Sequence, residues 1–287
     1  MGPYQTYHGG KGGNGTYHTI INHMPPHRVY VEAFLGNGAI MLRKRPAEIN
    51  IGNEINPDVF RSWREWQRAN GAAWLEVRNE NAFALLDGLT FPGVDPDDVY
   101  VYIDAPYLKH TRKSDRNIYG AFEMETHEHE HLLELANRLP YLVGISCYEN
   151  SLYADRLSRW QVIRYNATTR QGGVTELLYM NYKNPDGMLH DYSYLGKNFT
   201  DRQRIKRKIE REIARLQALD PRERNAIITA VTSRQFAARD VAQGTEPAAD
   251  QRGHQAPAVA QAGRPPEQPP EQPDPDQYPF RQGTIQF

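Results

Sequence analysis

The chain has 287 residues, enough for one large α/β domain followed by an extension. Its formal net charge of -1 is unevenly distributed, because the stretch from Asp240 to the C-terminus carries seven acids and three bases. Residues 1–239 therefore carry +3, which is compatible with a nucleic-acid partner. The single cysteine, Cys147, excludes an internal disulfide framework and fits a reducing cytoplasm. No apolar run approaches the roughly 20 residues of a membrane span, so no membrane partner is expected.

The N-terminal part is rich in glycine. Tyr7-His-Gly-Gly-Lys11 and the glycines that follow it form a loop whose backbone can approach a ligand closely. Residues 29–34 predict a strand, which turns through Leu35-Gly-Asn-Gly-Ala39 into an apolar run at 40–42. A strand, a Gly-x-Gly turn and a helix in this order predict the first unit of a nucleotide-binding sheet.

A second strand is predicted at residues 48–51, and an acid follows it. Glu54 lies 18 residues after Gly36. In nucleotide-binding sheets an acid about 20 residues beyond the glycine turn hydrogen-bonds the ribose hydroxyls. No Lys-Ser/Thr pair follows the glycines, which argues against a phosphate cradle of the Walker type. A nucleoside cofactor without a pyrophosphate fits this pattern better.

The central motif is Val99-Tyr-Val-Tyr-Ile-Asp-Ala-Pro-Tyr107. Its alternating β-branched and aromatic residues predict a short strand buried on both faces, and Asp104 follows at the carboxyl end, where open α/β sheets bind ligands. Pro106 lacks a backbone N–H and favours an extended Ala105, which leaves the Ala105 carbonyl as a free acceptor. Together with the flat ring of Tyr107, these groups suit an exocyclic amino group on a planar base. The alternative is a strand that ends in an ordinary Asp-x-Pro turn.

A basic loop follows this motif directly. Its cations are Lys109, Arg112, Lys113 and Arg116. Their position beside Asp104 favours a flap that binds phosphates, and the alternative is a solvated loop.

His127-Glu-His-Glu-His131 matches the His-Glu-x-x-His signature of zinc proteases. The match lies in the first turn of a helix for which Thr126 is the predicted cap, and nearby acids favour that end of the helix dipole. No third ligand with a suitable context follows. Exposed histidines are the preferred interpretation, with a zinc hydrolase as the distant alternative, and no metal is expected.

The C-terminal half predicts more strands and then a change of character. Strand signals at 141–146, 160–165 and 176–182 bring the count to at least six and close in a hairpin. Thr200 and Gln203 predict a capping box for a helix with the stripe Ile205, Ile209, Ile213 and Leu216, which we expect to pack on the body. The other faces are basic, since residues 200–224 hold nine Lys/Arg and five Asp/Glu. Beyond about residue 240, nine of the chain's 20 prolines predict disorder.

Five motifs in order resemble the Dam-like adenine-specific DNA methyltransferases. They are Tyr7-His-Gly-Gly-Lys11, Val31-Glu-Ala-Phe-Leu-Gly-Asn-Gly-Ala39, Asn53-Glu-Ile-Asn56, Asp104-Ala-Pro-Tyr107 and Thr175-Glu-Leu-Leu-Tyr-Met-Asn-Tyr182. The resemblance covers roughly residues 4 to 185. It departs from the family at Ala105, where the family has proline, and at Glu54, where an aspartate is usual.

The resemblance implies an α/β fold with a Rossmann-like methyltransferase sheet and helices on both faces. The implied domains are a methyltransferase domain at 1–190 with a short target-recognition insert near 58–98, a basic helical extension at 191–239 and a disordered tail at 240–287. Duplex DNA is the implied partner, and we expect a monomer.

The resemblance also implies S-adenosylmethionine as cofactor. Tyr7, Lys11, Glu54 and Asp104 match the family's cofactor-contact positions, and the glycine-turn unit adds Glu32, Phe34, Gly36 and Gly38. The resemblance assigns catalysis to Asp104, Ala105, Pro106 and Tyr107. It also implies that the adenine is flipped out of the duplex.

Two other functions remain open. A related methyltransferase acting on RNA or on a protein amide would use a similar tetrapeptide, because any planar amide or amine fits it. A DNA-binding protein that has lost turnover would explain the altered Ala105.

Overall fold

The computed structural model describes residues 2–3, 9–13, 15–112, 118–169, 172–183 and 188–242. Seven strands in this part form one sheet: β1 (Val29–Glu32), β2 (Ile49–Asn53), β3 (Glu76–Arg78), β4 (Val99–Ile103), β5 (Leu142–Cys147), β6 (Gln161–Thr169) and β7 (Gly172–Met180). The α-helices of the described residues are α1 (Thr16–Ile21), α2 (Pro57–Asn70), α3 (Ala82–Asp87), α4 (Thr126–Arg138), α5 (Ser151–Arg156), α6 (Phe199–Gln217) and α7 (Pro221–Ala242).

The strand order across the sheet is β3-β2-β1-β4-β5-β7-β6. The first five strands in this order pair in parallel, and the predicted hairpin of β6 and β7 is antiparallel, with β7 against β5. The chain leaves β1 towards β2 and β3 and then returns to β4 on the other side of β1. The direction of strand addition therefore reverses between β1 and β4.

The alternating side chains of β4 supply both faces of the sheet. Val99, Val101 and Ile103 pack in one core with residues from α3, α4 and α5. Tyr100 and Tyr102 pack in a second core with residues from α1 and α2. Helices therefore cover both faces, and the predicted α/β fold class is confirmed.

The helix predicted directly after the Gly-x-Gly turn is not present. Residues 39–43 form consecutive turns, with single hydrogen bonds from Leu42 N–H to Gly38 and from Lys44 N–H to Ile40. The segment is too short for a helix, because Pro46 can donate no backbone hydrogen bond to continue it.

Two predicted helix caps are also wrong by one or two residues. Thr126 is the first residue of α4, and the cap is Glu125, whose N–H donates to the Glu128 carboxylate at 2.7 Å. The cap of α6 is Asn198, whose side chain accepts from the Asp201 N–H at 2.9 Å. Asn is at least as good a cap as Thr, so the earlier residue starts the helix.

The isoleucine stripe of α6 does not pack on the body as predicted. Ile209 and Ile213 are each 48% exposed, and no residue of α6 is buried. The chain divides into two compact units after Leu219, and the described part of the second unit consists of α7 and the residue before it. Of the predicted disordered tail, residues 240–242 belong to α7, and the rest lies outside the described residues. No helix of the described residues is long and apolar enough to cross a membrane.

The segment near 58–98 belongs to the sheet architecture. It holds most of α2, the edge strand β3 and α3, and it ends at β4. Trp63 is fully buried in the core against β1, as its helical context predicts. This part of the chain therefore builds one edge of the sheet, and its role as a target-recognition insert stays a prediction.

Candidate active site

The site lies where the carboxyl ends of β1 and β4 meet. Ligands of open α/β sheets bind where the strand order reverses, which here is between these two strands. A cleft of about 2130 Å³ opens at this edge, and its lining includes Glu32, Glu54, Asp104 and Tyr107. Residues far apart in the sequence are thus brought to one surface by the parallel strands.

Glu54 connects the end of β2 to the glycine turn after β1. Its Oε2 accepts a hydrogen bond from the Gly36 N–H at 3.0 Å, and its Oε1 accepts one from the Asn56 N–H at 2.9 Å. Burial raises the pKa of the Glu54 carboxyl, and these two bonds oppose the rise. The turn requires glycine, because Gly38 has a φ of 57° and a Cβ there would lie 2.5 Å from the Trp63 ring. Glu54 and the turn therefore form one rigid side of the cleft.

Glu32 ends β1 at the base of the cleft. Its Oε2 accepts hydrogen bonds from the Tyr30 hydroxyl and the Met41 N–H, each at 3.1 Å. Burial raises the pKa of Glu32 to about 8. Of the cofactor residues predicted in this unit, Glu32, Phe34 and Gly36 line the cleft, while Gly38 lies behind them against Trp63.

Lys11 and Asp104 form a buried ion pair. The Lys11 side chain is 4% exposed, and its Nζ lies 2.8 Å from Asp104 Oδ1. Burial raises the pKa of Asp104 to about 6, against the opposing charge of Lys11. Burial also disfavours the Lys11 cation, but Asp104 and Glu176 outweigh it and raise the pKa of the ammonium above its usual value. The two residues were predicted separately, and the fold makes them partners.

A further carboxylate, Glu176 of β7, joins this pair. Its Oε2 accepts hydrogen bonds from the Tyr107 hydroxyl at 3.0 Å and the Tyr165 hydroxyl at 2.8 Å, and lies 3.6 Å from Lys11 Nζ. The Tyr107 ring also packs edge-on against Tyr148, with centroids 4.5 Å apart. Sequence patterns alone assign no role to Glu176. The usable signal is an acid placed directly before the apolar run at 177–180.

Ala105 and Pro106 continue the chain from Asp104 to Tyr107 along the cleft wall. Ala105 is 5% exposed and packs in the core beneath the site. Within the described residues, no hydrogen bond to the Ala105 carbonyl is found, and its role as an acceptor for a ligand stays a prediction.

Arg112 has a different role from the one predicted. Its guanidinium donates to the Tyr107 carbonyl through Nε, at 2.6 Å, and through Nη2. Its Nη1 lies 2.8 Å from Glu123 Oε2, and both side chains are 6% exposed. The prediction that Arg112 holds DNA phosphates is wrong for this structure, because its donors are used inside the protein. Arg112 instead fixes the backbone of the tetrapeptide.

The other members of the basic loop differ in accessibility. Lys109 is 49% exposed and pairs with Glu125 at 2.5 Å, so it can reach a phosphate after exchanging one surface partner. Lys113, Arg116 and the predicted cofactor contact Tyr7 lie outside the described residues.

The histidines of the zinc-protease signature are not gathered around a metal site. His129 is buried, with Nδ1 2.8 Å from the Tyr153 hydroxyl, and burial lowers its pKa to about 4. His131 stacks on Phe83. No cluster of three or more His, Cys, Asp or Glu that could hold a metal occurs in the part of the chain that the structure describes.

No protein-family model matches the chain, and no curated protein matches it in sequence. Solved structures with a similar fold include M. capricolum TrmK in complex with S-adenosyl-homocysteine, with 10% identity over 77% of this chain and 95% of that chain, at a TM-score of 0.40. A precorrin-6y C5,15-methyltransferase from Geobacter metallireducens has 12% identity over 58% and 85%, at 0.37. Precorrin 8w decarboxylase of Methanobacterium thermoautotrophicum has 11% identity over 57% and 87%, at 0.35. Similarities of this size do not identify a substrate, so the function is inferred from the site itself.

Proposed function

We propose that this protein is an adenine-specific DNA methyltransferase that uses S-adenosylmethionine. The observation that carries the proposal is the arrangement of Asp104 and Tyr107 at the point of strand reversal. A partly buried carboxylate, a carbonyl from Ala105 and an aromatic ring stand within four residues. Two acceptors and a stacking face suit the amino group of a planar base.

The cleft fits a nucleoside cofactor. The Gly36 turn allows a ligand to approach the backbone, and Glu54 presents carboxylate oxygens with spare lone pairs beside it. Phe34 and Phe83, both partly buried, offer apolar contact for a base within the same cleft. These residues would hold S-adenosylmethionine, and Asn53 stabilises their frame by donating to the carbonyls of Ala33 and Glu80.

The residues of the chain contribute positioning and electrostatics. When bound, S-adenosylmethionine supplies a methyl group that its sulfonium has already activated, so the acceptor nitrogen must be aligned and its lone pair kept available. Asp104 and the Ala105 carbonyl would accept the two amino hydrogens and stabilise the positive charge that develops on the nitrogen. Asp104, whose pKa is raised by burial to about 6, then takes the proton that the methylated nitrogen releases.

Duplex DNA is proposed as the substrate on the grounds of charge. The body is mildly basic, and α6 exposes Arg204, Lys206, Arg207 and Lys208. A base inside a duplex cannot enter a cleft at the end of a sheet, so it has to be flipped. Lys109, beside the tetrapeptide, would then contact a flanking phosphate.

The proposal is tested with S-adenosylmethionine carrying a labelled methyl group, offered with duplex DNA, structured RNA and a protein lysate in separate reactions. We expect label in duplex DNA, recovered as N6-methyladenine, and none with Asp104→Ala. If label appears only in RNA or only in protein, that molecule and not DNA is the substrate. Cofactor binding without any transfer would support a DNA-binding relative that has lost turnover.

A further inference from the structure

The ammonium of Lys11 occupies a pocket built for a cation. Its Nζ lies 2.8 Å from Asp104 Oδ1 and 3.6 Å from Glu176 Oε2, and donates to the Gly9 carbonyl at 3.1 Å. The Tyr107 ring completes the pocket, with its centroid 4.7 Å from Nζ. Two carboxylates, one carbonyl and one aromatic face all favour positive charge at this point. We call this group of four the nitrogen pocket.

The nitrogen pocket coincides with the place assigned to the acceptor amine. The amine is expected to hydrogen-bond to Asp104 and to stack with its base on Tyr107, and Lys11 now uses the same carboxylate and the same ring. An amine nitrogen at hydrogen-bond distance from Asp104 Oδ1 would collide with Nζ, or would have to share a buried oxygen with a full charge.

We propose that the nitrogen pocket is the subsite for the acceptor nitrogen and that Lys11 is its occupant until substrate enters. The inference rests on the proposed function and adds to it a second carboxylate, Glu176, and a residue that must leave. The Lys11 ammonium occupies the position that we assign to the positively charged nitrogen of the methylated product.

Charge explains why such a subsite helps transfer. In the reaction the nitrogen lone pair forms the N–C bond, the electron pair of the breaking C–S bond returns to sulfur, and the nitrogen becomes positive before it releases a proton. Departure of Lys11 would leave the carboxylates of Asp104 and Glu176 without the ammonium that now lies close to both. A nitrogen that gains charge during transfer compensates these carboxylates more in the transition state than in the bound substrate, which lowers the barrier.

The backbone around Lys11 allows the exchange. Lys11 lies in a turn between Gly9-Gly10 and Gly12-Gly13, which carry no side chains to repack. Gly9 has a φ of 72°, and a Cβ there would lie 2.6 Å from the Tyr119 hydroxyl. The loop around Lys11 therefore packs closely against the site, and its glycines allow the backbone φ and ψ angles to change.

The first test is chemical rescue of Lys11→Ala. This change removes three carbons and the ammonium, which together equal n-propylammonium. We expect the variant to unfold at a lower temperature than wild type and to recover with n-propylammonium but not with n-propanol. If Lys11→Ala does not fold, Lys11→Met is used instead, because it keeps the apolar part of the side chain and lacks the ammonium. The ammonium ion is then the probe. Equal effects of the amine and the alcohol would show that the pocket has no preference for a cation.

The second test asks whether substrate uses the same pocket. Duplex DNA that keeps the target adenine and carries 2-aminopurine at the neighbouring position reports base flipping by fluorescence, because flipping unstacks the probe. In the Lys11→Ala variant, n-propylammonium should raise the DNA concentration needed for half-maximal signal several-fold. Lys44→Ala is the matched control, because Lys44 is also buried but contacts Tyr30 and Asn50 outside the pocket. Rescue without competition would overturn the proposal.

Different results would contradict the proposed methyl transfer and the proposed nitrogen pocket. If wild type transfers no methyl group to DNA, RNA or protein, the proposed function fails whatever the amine does. If methylation of DNA proceeds while n-propylammonium neither stabilises Lys11→Ala nor competes with the base, the nitrogen pocket alone is wrong.

Discussion

The Tyr107 hydroxyl donates a hydrogen bond to Glu176 Oε2 at 3.0 Å, and this bond joins the central tetrapeptide to the antiparallel hairpin. Glu176 is buried and Tyr107 is partly buried, and the acceptor is a carboxylate. The hairpin therefore helps to set the orientation of the ring on which a base would stack.

The coupling between these two residues can be measured without any assay of activity. Tyr107→Phe and Glu176→Gln should each lower the free energy of unfolding, and the double variant should lose less than their sum. A hydrogen bond to a charged group contributes about 1.5–3 kcal/mol. A double-mutant cycle in denaturant measures the coupling. Tyr182→Phe paired with Tyr107→Phe is the control, because the Tyr182 hydroxyl donates to the His23 carbonyl and not to Glu176. Strict additivity between Tyr107 and Glu176 would show that the bond contributes nothing.

The pH dependence of kcat/KM should follow Asp104. Burial raises its pKa to about 6, and only the ionised form can take the proton that the methylated nitrogen releases, so the rate should rise as pH increases through about 6. Lys11 opposes the effect of burial, so Lys11→Met should move the midpoint to higher pH. Lys109→Met, which removes an exposed lysine, should leave it unchanged. A midpoint near pH 4 in wild type would contradict this assignment.

The same raised pKa has a consequence for stability. A carboxyl whose pKa is higher in the folded state than in the unfolded chain favours the protonated form on folding. Its contribution is therefore most favourable below the unfolded value of about 3.9 and is lost as pH rises to about 6. Asp104→Asn should flatten this part of the stability profile, which urea denaturation at a series of pH values would show.

Arg112→Ala should destabilise the protein strongly, because it leaves Glu123 buried without its cation. Breaking one side of such a pair costs about 3–5 kcal/mol. Lys109→Ala removes an exposed pair that solvent screens, so its cost should be far smaller. Equal costs for the two variants would mean that Arg112 is more accessible than the structure shows.

DNA binding by Lys109→Ala should become less salt-dependent, by roughly 0.9 log units per lost phosphate contact.

Sequence patterns predicted the sheet because buried parallel strands and turn glycines have local signals. They missed β3, whose three residues are too few for a period to appear, and the turns at 39–43, where a short apolar run resembles a helix. Within the site, Asp104 and Glu54 were predicted because each follows a strand at a recognisable spacing. Glu176 and the pairing of Arg112 with Glu123 were not, since both depend on strand order and loop packing.

Glu54→Ala should weaken binding of S-adenosylmethionine and also loosen the Gly36 turn, since Glu54 holds that turn in the structure. Glu54→Gln separates the effects, because its amide oxygen can still accept from the Gly36 N–H. We expect calorimetry to show weaker binding for both variants and a lower melting temperature mainly for Glu54→Ala. An unchanged dissociation constant in both would remove Glu54 from the cofactor site.

The central claim is that Asp104 accepts the amino group of the methyl acceptor. The most direct measurement is the single-turnover rate of methyl transfer to duplex DNA by wild type and Asp104→Asn, at saturating S-adenosylmethionine and pH 8. Loss of one preorganised electrostatic contact should slow transfer by about a hundred- to a thousandfold while the far-ultraviolet circular dichroism stays the same. Transfer by Asp104→Asn at a rate close to that of wild type would contradict the account.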